Sequence, residues 1–277
     1  MKLIPLSLAL SLALASCNKT IKKEIPSSNV PEKHVETAIE FKNKAHQIIY
    51  ETVQKTGTYQ DLLSKKDVVY HYSYTLPNGK EDVSTEKYIF NNELSFGEYH
   101  KHERTFPELT GKLTQGYNGE EFWLKDGDSI ILDPKKLKMV AFKRPTNFYW
   151  FAMIQKLLDP NLNYEYIEQT LIDDIEYDVI KVTFNTEGDK PSDIYQVYVN
   201  KPTKLIDQFL FTVVDFGRMD PLLMKVQYEN VDGILIPSKR KYTQSNWKAE
   251  IQNENWAKVN WTQIKFDNNL KLSDFSK

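Results

Sequence analysis

A single cysteine, at position 17, leaves no intramolecular disulfide to staple this chain. Histidine is nearly as scarce, with five in 277 residues, and only His100 and His102 lie close together. On a regular strand they would share a face, because side chains repeat every second residue. Two imidazoles fall short of the three or four ligands of a zinc or copper site, so no metal is expected. The ten glycines form neither a phosphate-cradling loop nor a Gly-x-Ser-x-Gly elbow. Asp126, Gly127, Asp128 and Ser129 lack the spacing of a calcium loop and suit a hairpin turn. Asp173, Asp174 and Glu176 are too close in sequence to converge as the paired carboxylates of a glycosidase, since neighbours on a strand point to opposite faces. A net charge of −2 with no basic block leaves no electrostatic footprint for nucleic acid. Neither catalytic residues nor a cofactor are expected.

Long apolar runs are also few, and the first occupies positions 3–14, behind Lys2. Small residues follow Leu14, in the order Ala15, Ser16, Cys17, so residues 1–16 read as a secretory signal too short to span a bilayer. Leu-Ala-Ser-Cys resembles the lipobox of bacterial lipoproteins. There the cysteine is diacylated, the signal is cut before it, and the new amine is acylated as well. Two or more chains give stable attachment where one is marginal. The expectation is a cell-envelope protein anchored in the membrane through lipid on Cys17, at the outer membrane, with the facing side left open. An ordinary signal peptide with a cysteine near its cut site is the alternative. Residues 17–32, with Pro26, Ser27, Ser28 and Pro31, are polar and aperiodic and read as a flexible tether. The domain proper is expected over 33–277.

The second apolar run, 147–158, starts with Phe148, Tyr149, Trp150 and Phe151 and continues through Ala152, Met153, Ile154, Leu157 and Leu158. It is shorter than the ~20 residues of a membrane-spanning helix. Apolar on nearly every side, it must be buried all round or face a cavity. Thr146 is a candidate N-cap, Asp159 and Pro160 a stop, and 134–144 a separate short helix. An amphipathic helix is expected over 32–57, with Val35, Ala38, Ile39, Ala45, Ile48, Ile49 and Val53 on one face and Gly57 ending it.

From Asp67 the period changes to two. Tyr70, Tyr72 and Tyr74 alternate out to the turn at Pro77, Asn78 and Gly79, and Glu86, Tyr88 and Phe90 alternate on the return. Residues 94–100 continue the sheet, and 105–111 read as a loop with exposed apolar residues. Hairpins follow at Asn118-Gly119 and Asp126-Gly127. A second meander is expected over 164–173, 176–184, 194–199, 205–214, 222–228, 234–242, 247–252 and 256–266, with a turn at 187–189 among its connections. So many antiparallel strands curl toward closure. The fold class is α+β, mainly antiparallel β: a curled half-barrel of about eleven strands with a few helices covering the concave face.

Taken together, the lipobox, the N-terminal helix, Gly-Tyr-Asn-Gly-Glu-Glu-Phe-Trp at 116–123, the helical insertion between two meanders, and Tyr-Glu-Asn-Val-Asp-Gly-Ile-Leu-Ile-Pro at 228–237 resemble the LolA/LolB-like superfamily of envelope lipoproteins over about 33–270. That resemblance implies an incomplete barrel, covered by helices, whose apolar cavity accepts acyl chains, and it makes 105–111 a position for a carrier loop. Candidate ligand-lining residues are Tyr70, Tyr72, Tyr74, Tyr88, Phe90, Phe148, Trp150, Phe151 and Ile154. The same residues would equally serve as the core face of a sheet. The leading expectation is a non-catalytic lipoprotein binding a lipid or acyl chain. A structural or protein-interaction lipoprotein with a self-filled barrel, and a glycan-binding or glycan-cleaving envelope protein, stand as alternatives.

Overall fold

The alternation that begins at position 67 builds one antiparallel sheet of thirteen strands. The computed structural model describes residues 39–186 and 191–277. The signal segment 1–16, Cys17, the tether 17–32, residues 32–38 of the expected first helix and the expected turn at 187–189 lie outside the described residues. The first meander comprises β1 (Asp67–Thr75), β2 (Glu81–Ile89), β3 (Leu94–His102), β4 (Leu113–Tyr117), β5 (Phe122–Asp126) and β6 (Ser129–Ile130). The second comprises β7 (Leu162–Ile172), β8 (Ile175–Phe184), β9 (Ile194–Asn200), β10 (Ile206–Val213), β11 (Arg218–Val231), β12 (Ile234–Gln244) and β13 (Ala257–Phe266).

Spatial order runs β6-β5-β4-β3-β2-β1-β13-β12-β11-β10-β9-β8-β7. The two meanders join where the first strand pairs with the last, Val68 opposite Phe266 and Tyr74 opposite Val259. Among the described residues β6 and β7 remain as free edges, so the sheet is an open, curled half-barrel, α+β and mainly antiparallel. The strand count exceeds the expected eleven. The two-residue β6 illustrates why: a strand that short leaves no alternation to read. The expected strand at 247–252 is instead a turn that touches the sheet through a single Ser245–Ile251 bridge. Asn246 Oδ1 accepts hydrogen bonds from the backbone N–H groups of Lys248 and Glu250, and Ala249 takes φ 60°. That local bonding diverts the backbone from a ladder. Ala249 then packs on the outer face of the sheet, against the cluster of Tyr177, Val179, Tyr198, Leu210 and Leu223.

Three α-helices accompany the sheet among the described residues. In α1 (Lys44–Thr56) the buried face repeats as Ala45, Ile48, Ile49, Thr52, Val53 and Thr56, the spacing of an amphipathic helix. Residues 39–43 are not helical. Asn43 caps the helix by accepting from the backbone N–H of His46 at 2.9 Å, so α1 begins later than its apolar periodicity suggested. Thr58 and Asp61 form a capping box for α2 (Tyr59–Ser64), a short helix that periodicity did not announce.

The two helices expected on either side of Pro145 are one, α3 (Pro134–Ala152). Asp133 caps it, accepting from Lys136 N at 2.8 Å, and Pro134 occupies its first turn. Thr146 is not an N-cap; its hydroxyl donates back to the Phe142 carbonyl at 2.7 Å. Packing holds the helix through the proline. Phe148 and Phe151 insert among Tyr70, Tyr88, Phe90 and Phe266, with the Phe151 ring stacked 5.0 Å from that of Tyr70. The helix ends at Ala152, and a 3₁₀ turn, Gln155–Leu158, follows before Asp159. A second core joins α1 to β7 through β11 around Ile49, Val53, Ile180, Val197 and Phe209. Trp150 packs against both cores. No helix among the described residues is long and apolar enough to cross a membrane.

Candidate functional site

Between α3 and the concave face of the sheet lies a cavity of about 770 Å³, within the ~300–1,000 Å³ usual for small-molecule sites. Its apolar wall includes Tyr72 and Tyr74 of β1, Trp150 of α3, Tyr195 of β9, Phe211 of β10 and Trp261 of β13. Trp150 meets Phe211 edge-on at 5.2 Å and lies parallel to Phe209 at 6.1 Å. The Tyr74 and Tyr242 hydroxyls contact one another across β1 and β12. At the rim Phe142 of α3 meets Phe216, in the 3₁₀ turn after β10, at 5.1 Å.

Of the nine aromatic and aliphatic candidates, Tyr72, Tyr74 and Trp150 line this cavity. Tyr70, Tyr88, Phe148, Phe151 and Ile154 are packed into the core, where their rings and methyls hold α3 on the sheet. Phe90 is buried too and borders a separate depression of about 510 Å³ beside Tyr59 and Leu63. Cys17 lies outside the described residues.

The polar part of the site went unread in the sequence, and it is unusual. Asp82 accepts from Arg104 N at 2.8 Å, Arg104 Nη1 at 3.2 Å, Thr105 N at 3.2 Å and Thr105 Oγ1 at 2.7 Å. These bonds tie down the start of the 105–111 loop, which is not the exposed apolar loop expected. Thr105 is buried, and Phe106 and Leu109 pack against Tyr99, Leu113, Leu124 and Val140.

Deeper in the wall, Arg144 and Glu86 form a fully buried ion pair, Nη2 to Oε2 at 2.7 Å. Ser84 Oγ and Tyr88 Oη also donate to Glu86, at 2.7 and 3.1 Å. Burial alone would lower the Arg144 guanidinium, but the Glu86 carboxylate beside it leaves it raised. Arg240 of β12 is the opposite case. It lies 3.6 Å from the Trp261 ring centroid, and burial pushes it down to about 10 against the pull of the Tyr72, Tyr70 and Tyr74 hydroxyls. Arg240 and Glu86 had a signal in the sequence pattern. Arg240 shares its strand face with Ile236, Ser238 and Tyr242, and Glu86 shares one with Ser84, Tyr88 and Phe90.

Lys143 lines the cavity and donates to Thr105 Oγ1 at 2.7 Å. Burial pushes it down to about 8 from the ordinary 10.5. The fold therefore disfavours the protonated amine. The penalty is complete below pH 8 and is relieved between pH 8 and 10.5, where only the unfolded chain still binds the proton. Lys143→Met should accordingly stabilise the protein at pH 7 by about 1–2 kcal/mol, discounted for partial exposure. The gain should vanish by pH 10.5. Melting temperatures of both proteins at the two pH values check this.

The two clustered histidines separate. A register shift between Val83 and Ser84 interrupts the alternation of β3 on which a shared face depended. His100 Nε2 lies 2.8 Å from Thr85 Oγ1, whereas His102 sits edge-on to Tyr99 at 6.4 Å. Among the described residues no group of three His, Cys, Asp or Glu side chains could hold a metal. Asp173 and Asp174, both at positive φ, form the β7–β8 turn.

An open half-barrel with a helix laid over an aromatic cavity defines a class of folds suited to enclosing a ligand. In that fold the chain is similar to a DUF1329 family protein from Desulfovibrio piger, with a TM-score of 0.51 and 12% identity over 84% of this chain and 97% of that one. It is similar also to a LolA superfamily protein from Nitrosomonas europaea (TM-score 0.47, 13% identity, 84% and 97% covered). A third is a putative outer membrane lipoprotein-sorting protein domain from Vibrio parahaemolyticus (TM-score 0.48, 10% identity, 83% and 95% covered). No family model and no curated protein matches the sequence. At such identities the likeness is one of fold alone, and the open, curled half-barrel read from the sequence is the fold of this chain.

Proposed function

We propose that this protein is a non-catalytic lipoprotein of the cell envelope that binds an apolar ligand, a lipid or acyl chain, in the cavity beneath α3. The observation that carries the reading is the cavity itself: about 770 Å³ left open inside a wall of tyrosine, tryptophan and phenylalanine. Burying an acyl chain there at ~0.8 kcal/mol per CH₂ would supply the affinity. Of the carboxylates lining the cavity, Asp82 is occupied by four hydrogen bonds, Asp193 accepts from Val214 N and Thr212 Oγ1, and Asp215 is exposed at the rim, which disfavours glycan cleavage. The open volume disfavours a barrel filled by its own side chains. Acylation of Cys17 would anchor the domain, with the outer membrane as the membrane proposed.

Mass spectrometry of organic extracts from the purified full chain tests the reading. Acyl groups attached covalently to the polypeptide stay behind, so a non-covalent lipid is read separately. A stoichiometric lipid or fatty acid, above that carried by an unrelated lipoprotein, is expected. Nothing above that control, with added lipids also failing to bind, would overturn it and leave a scaffold for protein partners.

A further inference from the structure

Two arginines are buried between α3 and the concave face, Arg144 from the helix and Arg240 from the sheet, and among the described residues only one has an anion. Arg144 is matched by Glu86. Arg240 is 6% exposed, and no carboxylate or hydrogen-bond acceptor among the described residues reaches it. Its Nε is buried without a partner, and its remaining contacts are the faces of Trp261 and Trp150, at 3.6 and 5.9 Å. A buried cation without a counter-charge is costly and is retained where something pairs with it.

Among the described residues, the charged groups around the cavity do not supply that pair. Asp82 is held by Arg104 and Thr105. Asp193 accepts from Val214 N at 2.8 Å and Thr212 Oγ1 at 3.3 Å. Asp215 and Arg218 are exposed at the rim, while Arg104 and Lys143 add positive charge within. Beside Arg240 the Tyr72 hydroxyl also lines the cavity without a hydrogen bond among the described residues. The Arg240 guanidinium and the Tyr72 phenol thus border the cavity as donors lacking an acceptor among the described residues.

We propose that the ligand is an anionic amphiphile bound head-inward. Its carboxylate or phosphate accepts hydrogen bonds from Arg240, with the Tyr72 hydroxyl beside it. The planar guanidinium suits either oxyanion, which it can engage through two parallel bonds. The acyl chain runs outward past Trp150, Phe211 and Met224. The direction follows from burial: Arg240 is buried, whereas Phe216 at the rim is 63% exposed. This inference rests on the lipid-binding reading and adds the head group and its orientation.

The test is a binding series on the delipidated full chain with hexadecanoate, hexadecyl phosphate and hexadecanol, which share a chain and differ in the head. At least one anion is expected to bind ten-fold or more tighter than the alcohol, and the tighter of the two identifies the head group. Arg240→Met should bring that anion down to the level of the alcohol and leave the alcohol unchanged; Arg240→Lys should restore part of the difference. Equal affinity for all three ligands, or undiminished anion binding by Arg240→Met, would overturn the head-inward assignment while leaving the lipid-binding reading intact. Failure of all three to bind would overturn both. Should Arg240→Met not fold, the wild-type series alone decides.

Discussion

Glu86→Gln and Arg144→Met should each lower stability by about 3–5 kcal/mol, because each leaves the other partner of a buried ion pair uncompensated. Both side chains are fully buried, and the pair is reinforced by Ser84, Tyr88 and Ser95. The reading is the urea midpoint of the full chain at constant slope. The double variant Glu86→Leu with Arg144→Met should recover most of the loss, since replacing both charges by apolar groups removes the unmatched one. Gly97 belongs to the same unit. A Cβ there would stand 2.6 Å from Arg144 Nη1 and 2.9 Å from Glu86 Oε1, so Gly97→Ala must displace the pair. Its cost, about 1–3 kcal/mol as for other overpacked sites, should be smaller in the double variant than in the wild type, because residues in contact are not additive. The pair fastens α3 to the first meander, so single variants should also retain ligand poorly. A midpoint unchanged in Glu86→Gln would mean that aromatic packing, and not the ion pair, holds the helix.

What the sequence made legible follows from periods and turns. Tyr70, Tyr72 and Tyr74 alternate and lie on a strand; Gly79, Gly119, Gly127 and Gly233 mark turns and adopt positive φ, as the turn types require. Interactions between distant parts of the chain were not legible. Nothing local announces that β1 pairs with β13, which makes one sheet of two meanders. Pro145 reads as a break because the sequence shows its missing N–H and not the packing of Phe148 and Phe151 that carries the helix through. The aromatic candidates divided for a related reason. A strand face can be read from alternation, but which of its rings touch α3 and which face open volume depends on where the helix lies along the strands. The buried charged residues are hard to read from sequence because charge usually marks a solvated position. Arg240 and Glu86 sit on the apolar parity of their strands, and that mismatch between residue type and face was the available sign.

Trp150→Glu should abolish uptake of a hexadecanoyl ligand, with affinity falling about 100-fold or more, as expected when a charge replaces apolar surface in a dry pocket. Trp150 is flanked by Phe209, Phe211 and Tyr195, so its ring forms much of the wall an acyl chain would cover. The centre of that ring is 5.9 Å from the Arg240 guanidinium. A glutamate at this position therefore puts a carboxylate within reach of the unmatched cation and gives it an internal counter-ion. The apolar wall is lost and the anion-binding donor is occupied, yet the new charge is compensated, so the sheet should stay folded with an unchanged far-UV circular dichroism spectrum. Trp150→Phe, which keeps the wall apolar, should retain most of the affinity. Trp247→Glu, at an exposed turn, should have no effect on binding. Combining Trp150→Glu with Arg240→Met removes the compensating cation and leaves the carboxylate unpaired in the cavity. That double variant should lose more stability than the sum of the two single changes, the sign of a direct Glu–Arg pairing in a double-mutant cycle. Unimpaired uptake by Trp150→Glu would place the ligand elsewhere than beneath α3.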